Sequence, residues 1–290
     1  MTAELLTLAD GRTLSVWEGG SPDGFPIVFH HGTPSGRLQA VLGADAAARH
    51  HVRLVSFNRP GYGDSTDTPP SLASVGVDTL RVADALGLAE FAVLGASGGG
   101  PYALAAGLAD PGRVRAVGLA AGIGPWRLIE STESTDPDLP LLALADAGDV
   151  DGALDGFRAQ GRVAFDRMLT LADESMIDEF FRGAPAADLG WLDDDARRHW
   201  AADVRDALRT YDGYARDNVS WGGPWDIDPT RLEVPAYLWY GAEDRLVPAS
   251  HSQWLAARIP SSTLVIHPGE GHGGTIFGHW DQMFVGLTGG

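Results

Sequence analysis

Hydrophobic positions in this chain fall into short blocks whose period changes repeatedly, and those changes outline a fold. Near the start, Glu4–Leu8 and Thr13–Glu18 read as strands joined by the turn pair Asp10-Gly11. The apolar runs Pro26–His30, Val52–Phe57, Phe91–Gly95 and Val114–Ala120 read as further strands. Helical patterns over Arg37–Arg49, Ser71–Leu86 and Gly99–Ala109 separate them. Strands alternating with helices at this spacing imply right-handed crossovers and a mainly parallel sheet.

The alternation breaks after Gly124-Pro125. From Trp126 to Asp228 the pattern is helical and acidic, with no convincing strand. It resumes with strand Pro235–Tyr240, helix Ser250–Arg258, strand Thr263–Ile266 and a closing helix Thr275–Leu287. The expected organisation is an α/β core domain built from 1–125 and 229–290, with 126–228 inserted as a helical cap over one end of the sheet. There is no internal repeat or low-complexity tract.

Composition changes this picture by exclusion. The chain has 290 residues, 44% of them hydrophobic, enough for a sizeable core. A formal charge of −18 disfavours nucleic acid and anionic membrane surfaces. No apolar run is long enough to span a bilayer, and the start, Met1–Leu6, lacks the basic and apolar regions of a signal peptide. The expectation is a cytoplasmic monomer or homodimer acting on a small molecule. With no cysteine, thiol nucleophiles and cysteine metal sites are excluded. All 21 basic residues are arginines, so Schiff-base lysines and a P-loop lysine are excluded too.

The most informative stretch is Gly95-Ala96-Ser97-Gly98-Gly99-Gly100, lying between a strand and a helix. A serine at such a turn is held in a strained conformation with its hydroxyl above the carboxyl end of the sheet. Glycine stands two residues before and two after Ser97, where the turn has no room for side chains. A glycine-rich packing turn would look similar in isolation. A nucleotide loop fits poorly, because the G-x-G-x-x-G spacing and a lysine are both missing.

Serine needs a base, and His272 is the best placed of nine histidines. It sits in Gly269-Glu270-Gly271-His272-Gly273-Gly274, after the last strand and before the last helix. His50 and His51 end a helix, His199 lies among cap charges, and His251, His267 and His279 read as lying on or beside helix and strand surfaces. A carboxylate must fix the tautomer of the base. Asp244, after the penultimate strand, is the candidate, with Glu243 as its neighbouring competitor. The expected oxyanion donors are the N–H groups of Gly98 and of Thr33 in the turn His31-Gly32-Thr33-Pro34. His31 itself reads as a packing residue.

Together these stretches resemble the α/β-hydrolase superfamily. His31-Gly32-Thr33-Pro34 is similar to its H-G-x-P oxyanion loop, and Arg59–Ser65 to the loop after its fourth strand. Gly95–Gly99 resembles the nucleophile elbow, Gly241–Asp244 the acid turn, and Gly271-His272 the histidine loop. The order Ser97, Asp244, His272 is that of the family. The resemblance implies a mostly parallel eight-stranded sheet flanked by helices and a cap lying over the active site. Family members acting on haloalkanes or epoxides carry an aspartate nucleophile, which Ser97 argues against. Proline iminopeptidases share the H-G-x-P loop but usually have a bulky residue where this chain has Gly98.

The implied activity is cofactor-free and metal-free hydrolysis of carboxylic esters with an apolar or aromatic part. Some cap aromatics should line the pocket, with Trp126, Trp191, Trp221 and Trp225 as candidates, while others make the cap's own core. Cap carboxylates such as Asp193-Asp194-Asp195 should disfavour anionic substrates or simply form a wet face. An aminopeptidase or amidase, a ligand-binding protein with little turnover, and a cofactor-free oxygenase or lyase are the competing readings.

Overall fold

A computed structural model describes residues 4–129, 137–185 and 188–289. Residues 1–3, part of the start read above, and 130–136 and 186–187 within the expected cap lie outside the described residues. The first half runs β1 (Glu4–Thr7), β2 (Thr13–Gly20), β3 (Phe25–His30), α1 (Ala44–Arg49), β4 (Val52–Phe57), α2 (Leu72–Ala85), β5 (Phe91–Ala96), α3 (Gly100–Ala109) and β6 (Val114–Ala120). Among the described residues that follow there are helices and no strand: α4 (Trp126–Ile129), α5 (Leu139–Asp146), α6 (Val150–Leu169), α7 (Asp173–Phe180), α8 (Asp194–Ala207) and α9 (Asp212–Gly222). The chain ends with β7 (Ala236–Gly241), α10 (Ala249–Ala256), β8 (Ser262–His267), α11 (His272–Phe277) and α12 (Trp280–Thr288).

The eight strands form one sheet in the order β1-β2-β4-β3-β5-β6-β7-β8. β1 and β2 pair antiparallel, β2 pairs antiparallel with β4, and every later pairing is parallel. Every residue of β5 is buried, which explains its unbroken apolar run: a central parallel strand is covered on both faces. One core face packs β-strand side chains against α2 and α3, the other against α1 and α12. β1 and β8, at the two edges, expose much of their surface. Between β6 and β7 the helices carry two smaller apolar clusters of their own, one centred on Trp200 and Met176, the other on Phe157 and Leu142.

Register does the positioning. His30 pairs with Gly95, so the turn after β3 emerges beside the turn after β5. Gly241 pairs with His267, so the loops after β7 and β8 also emerge together. All lie at the carboxyl edge, the usual place for sites in such sheets.

Two expected helices divide. Arg37–Gly43 is a 3-10 helix, and regular α-helix begins only at Ala44. Gly43 lies under the Trp280 ring, where a Cβ would fall 2.9 Å from ring atoms, and glycine has little helical preference of its own. The closing helix likewise breaks at Gly278-His279 and starts earlier, at His272. Asp193 accepts a hydrogen bond from Ala196 N–H, so Asp193-Asp194-Asp195 is the capped first turn of α8, where acids oppose the helix dipole favourably. Among the described residues no helix is long and apolar enough to cross a membrane.

This burial pattern separates two leucines of the sheet. Leu94→Ala in β5, where the side chain is fully buried, should cost about 2–5 kcal/mol. Leu264→Ala in edge strand β8, 37% exposed, should cost roughly 1 kcal/mol or less. Urea denaturation of the two variants measures the contrast.

Candidate active site

At the end of β5 the chain turns abruptly through Ser97–Gly99 into α3. Ser97 takes a φ of 51°, a left-handed conformation that costs a non-glycine residue about 1–3 kcal/mol. Its flanking glycines are needed for close approach. A Cβ on Gly95 would overlap the Gly99 carbonyl, and one on Gly99 would overlap the His30 carbonyl. Pro101 falls in the first turn of α3, where its missing N–H is harmless.

Across the cavity, the Nδ1 of His272 lies 2.8 Å from Oδ2 of Asp244. The other oxygen of Asp244 accepts the N–H groups of Leu246 and Val247, both at 2.9 Å. The Asp244 side chain is 1% exposed, so its charge is directed at the imidazole rather than at water. Glu243, the competitor, is exposed. A carboxylate on Nδ1 keeps the proton there and leaves Nε2 as the basic nitrogen. Ser97 and His272 line the same cavity.

The turn after β3 forms another wall. Gly32 N–H donates to Gln39 Oε1 at 2.8 Å, and Thr33 Oγ1 donates to Asp217 at 2.8 Å. Among the described residues no acceptor meets the Thr33 N–H. His31 donates from Nδ1 to the Gly32 carbonyl at 2.8 Å and accepts the Arg59 N–H on Nε2. Burial, then the nearby Arg59 charge, holds this imidazole well below its ordinary pKa, so it is a neutral strut. A Cβ on Gly98 would fall 2.6 Å from Thr33 Oγ1 and 3.3 Å from Trp221 Nε1. That crowding is the physical reason for glycine after Ser97.

Beneath these loops Arg59 and Asp217 form an ion pair in which both side chains are fully buried. Asp217 of α9 also accepts from Tyr62 OH at 2.9 Å and Tyr102 OH at 2.7 Å. Arg59 donates onward to the carbonyls of His31 and Gly32. Burial works against the Arg59 charge, but Asp217 more than offsets it and the pKa is raised. A second tie runs from α8, where Asp203 accepts from Ser35 Oγ at 2.5 Å and Gly36 N–H at 2.9 Å. Burial pushes the Asp203 carboxyl up to about 6.

The cavity measures about 370 Å³ and is largely aromatic. Trp126, Trp191 and Trp221 line it, as do Trp200, Tyr214 and Phe277. Trp225 does not: its Nε1 donates to the Trp221 carbonyl, and its ring packs by Trp254 in a separate surface cleft. The expectation for it is corrected, because one further turn of chain beyond α9 carries the ring outside the cavity wall. Also corrected is His251, which is fully buried beneath Trp126, accepting the Gly124 N–H. Among the described lining residues there is no arginine, while Asp138 and Asp188 contribute carboxylates. The sequence reading missed Asp188 and Asp217. Neither sits in a motif, and nothing local in the chain marks either one.

A serine in left-handed conformation at a strand-to-helix turn lines one cavity with a histidine bound to a buried aspartate, at the carboxyl edge of a mostly parallel sheet, which is the layout of hydrolase-fold proteins. The family model for the alpha/beta hydrolase fold matches residues 26–278, and the chain belongs to that family. It is 27% identical over 286 residues to the "Putative carbamate hydrolase RutD" of Caulobacter sp. (strain K31), covering 89% of this chain and 92% of that protein. It is 26% identical over 289 residues to a non-heme chloroperoxidase of Streptomyces lividans, with 92% of each covered. Among solved structures, an esterase from Exiguobacterium antarcticum superposes with a TM-score of 0.68 at 17% identity, over 99% of this chain and 98% of that one.

Asp217→Ala should destabilise the fold by about 3–5 kcal/mol, because Arg59 is left charged and buried; chemical denaturation reads this directly. For Asp203 the folded pKa, about 6, exceeds the ordinary 3.8, so the folded state binds the proton more tightly. Its contribution to stability therefore falls as pH rises from about 4 to about 6 and is flat above. Urea unfolding of wild type and Asp203→Asn across that range should give a stability difference with this slope. A slope of opposite sign refutes the assignment.

Proposed function

We propose that the protein hydrolyses carboxylic esters with an apolar or aromatic part through an acyl-enzyme on Ser97. The observation carrying this reading is the constellation itself: Ser97 at a φ of 51° shares one aromatic cavity with His272, whose Nδ1 is tied to Asp244. His272 Nε2 takes the Ser97 proton as Oγ attacks the ester carbonyl. The carbonyl π electrons move to oxygen, and the N–H groups of Gly98 and Thr33 hold that oxyanion. Collapse expels the alkoxide, which receives the proton from His272. Water then repeats the sequence on the acyl-enzyme, releasing the acid and regenerating Ser97. Asp244 keeps the tautomer and stabilises the imidazolium throughout.

Lining chemistry supports an uncharged substrate. Aromatic walls favour apolar and aromatic groups, and the Asp138 and Asp188 carboxylates, with no arginine among the described lining residues, disfavour a free carboxylate. The tight space above Gly98, occupied by Thr33 and Trp221, separates this chain from the iminopeptidase pattern. A carbamate carbonyl would meet the same groups, and the name of one relative makes aryl carbamates the comparison substrate.

A fluorophosphonate probe should label wild type and not Ser97→Ala. With short p-nitrophenyl esters, Ser97→Ala and His272→Ala should each lower kcat/KM by about 10⁴-fold or more. An aryl ester whose acyl chain ends in a carboxylate should be turned over at least about 10-fold less efficiently than its neutral counterpart. Absence of both labelling and turnover above the Ser97→Ala background rejects the proposal.

A further inference from the structure

Asp188 reaches the site from the cap segment between α7 and α8, and it is 6% exposed. It lines the cavity, and its Oδ1 accepts the Gly273 N–H at 3.1 Å. A Cβ on Gly271 would overlap this carboxylate, and one on Gly273 would overlap the Trp191 indole and the Asp188 carbonyl. Trp191 Nε1 donates to that same carbonyl, and the Trp191 ring packs 4.1 Å from Phe277 on α11. The cap therefore grips the turn carrying His272 at both ends. Gly271, which precedes His272, has no side chain with which to cap the first turn of α11, so that turn's leading N–H groups need an acceptor from elsewhere.

We propose that Asp188 is a positioning residue, fixing the His272 turn to the cap so that seating of the cap and alignment of the base are one event. The inference rests on the hydrolytic reading above. Displacing a base by about 1 Å can cost about 100-fold in rate, so a small slip of this turn suffices. The His272 imidazole on α11 and the Asp244 carboxylate after β7 act electrostatically on Asp188. Burial raises the Asp188 carboxyl, and the Gly273 N–H it accepts, then His272, oppose that rise.

The test uses the full chain with Asp188→Ala and Asp188→Asn, reading aryl-ester kinetics across pH and the downfield proton resonance of the His272–Asp244 hydrogen bond. Asp188→Ala should lower kcat about 10-fold or more with KM within about two-fold, and broaden that resonance. Asp188→Asn keeps an acceptor for Gly273 N–H, so kcat should stay within about three-fold. A folded Asp188→Ala with wild-type kcat and resonance, or with only KM altered, overturns the inference while leaving ester hydrolysis intact. If wild type hydrolyses no ester, the proposed function fails, and the resonance alone then decides whether Asp188 positions His272.

Discussion

Arg59 and Asp217 meet where neither can reach water, and much of the site geometry depends on that pair. A buried charge is tolerable only when its hydrogen bonds are met, since removing water from each ion costs several kcal/mol. Here the partners come from distant parts of the chain. Asp217 belongs to α9, Arg59 and Tyr62 to the loop after β4, Tyr102 to α3, and Thr33 to the turn after β3. None of these bonds forms until sheet, turn and cap helix are all in place. Arg59 also braces the carbonyls of His31 and Gly32, fixing the peptide planes that aim the Thr33 N–H.

Close backbone approach is the second constraint. Around Ser97 the glycines at 95 and 99 let chain segments pass where any side chain would collide, and the left-handed serine stores the resulting strain. Around His272 the glycines at 271 and 273 do the same for the cap segment Asp188–Trp191. The two glycine-rich runs look alike in sequence but serve different contacts. One packs core against core, while the other lets the cap rest directly on the histidine turn. The helices between β6 and β7 and the loops of the sheet consequently share one cavity, and the stretch between those strands supplies aromatic walls, carboxylates and the acceptor for the Gly273 N–H.

Much of this arrangement was legible in the chain, and the reasons are local. Apolar runs at 26–30 and 91–95 identify central strands because a parallel strand covered on both faces is nearly continuously apolar. The Ser97 and His272 turns carry glycine because sterics leave no alternative. Asp244 is preferred to the adjacent Glu243 on chain position, but whether a loop carboxylate faces an imidazole or the solvent is a matter of backbone direction. The division of helices at Gly43 and Gly278 escaped because the Trp280 ring and the turn toward α12 are tertiary features.

By itself, then, the sequence determined the order of strands and helices, the strained serine turn and the residue types available for chemistry. These follow from periodicity and from sterics within a few residues. Only the tertiary structure decided that Trp225 turns away while Trp126, Trp191 and Trp221 line the cavity, that His251 is buried, and that Asp188 and Asp217 bond to the turns at Gly273 and Thr33. Burial and partnership are properties of surfaces assembled from remote segments. A carboxylate's environment is therefore set by what packs against it, and its sequence neighbours carry no record of that.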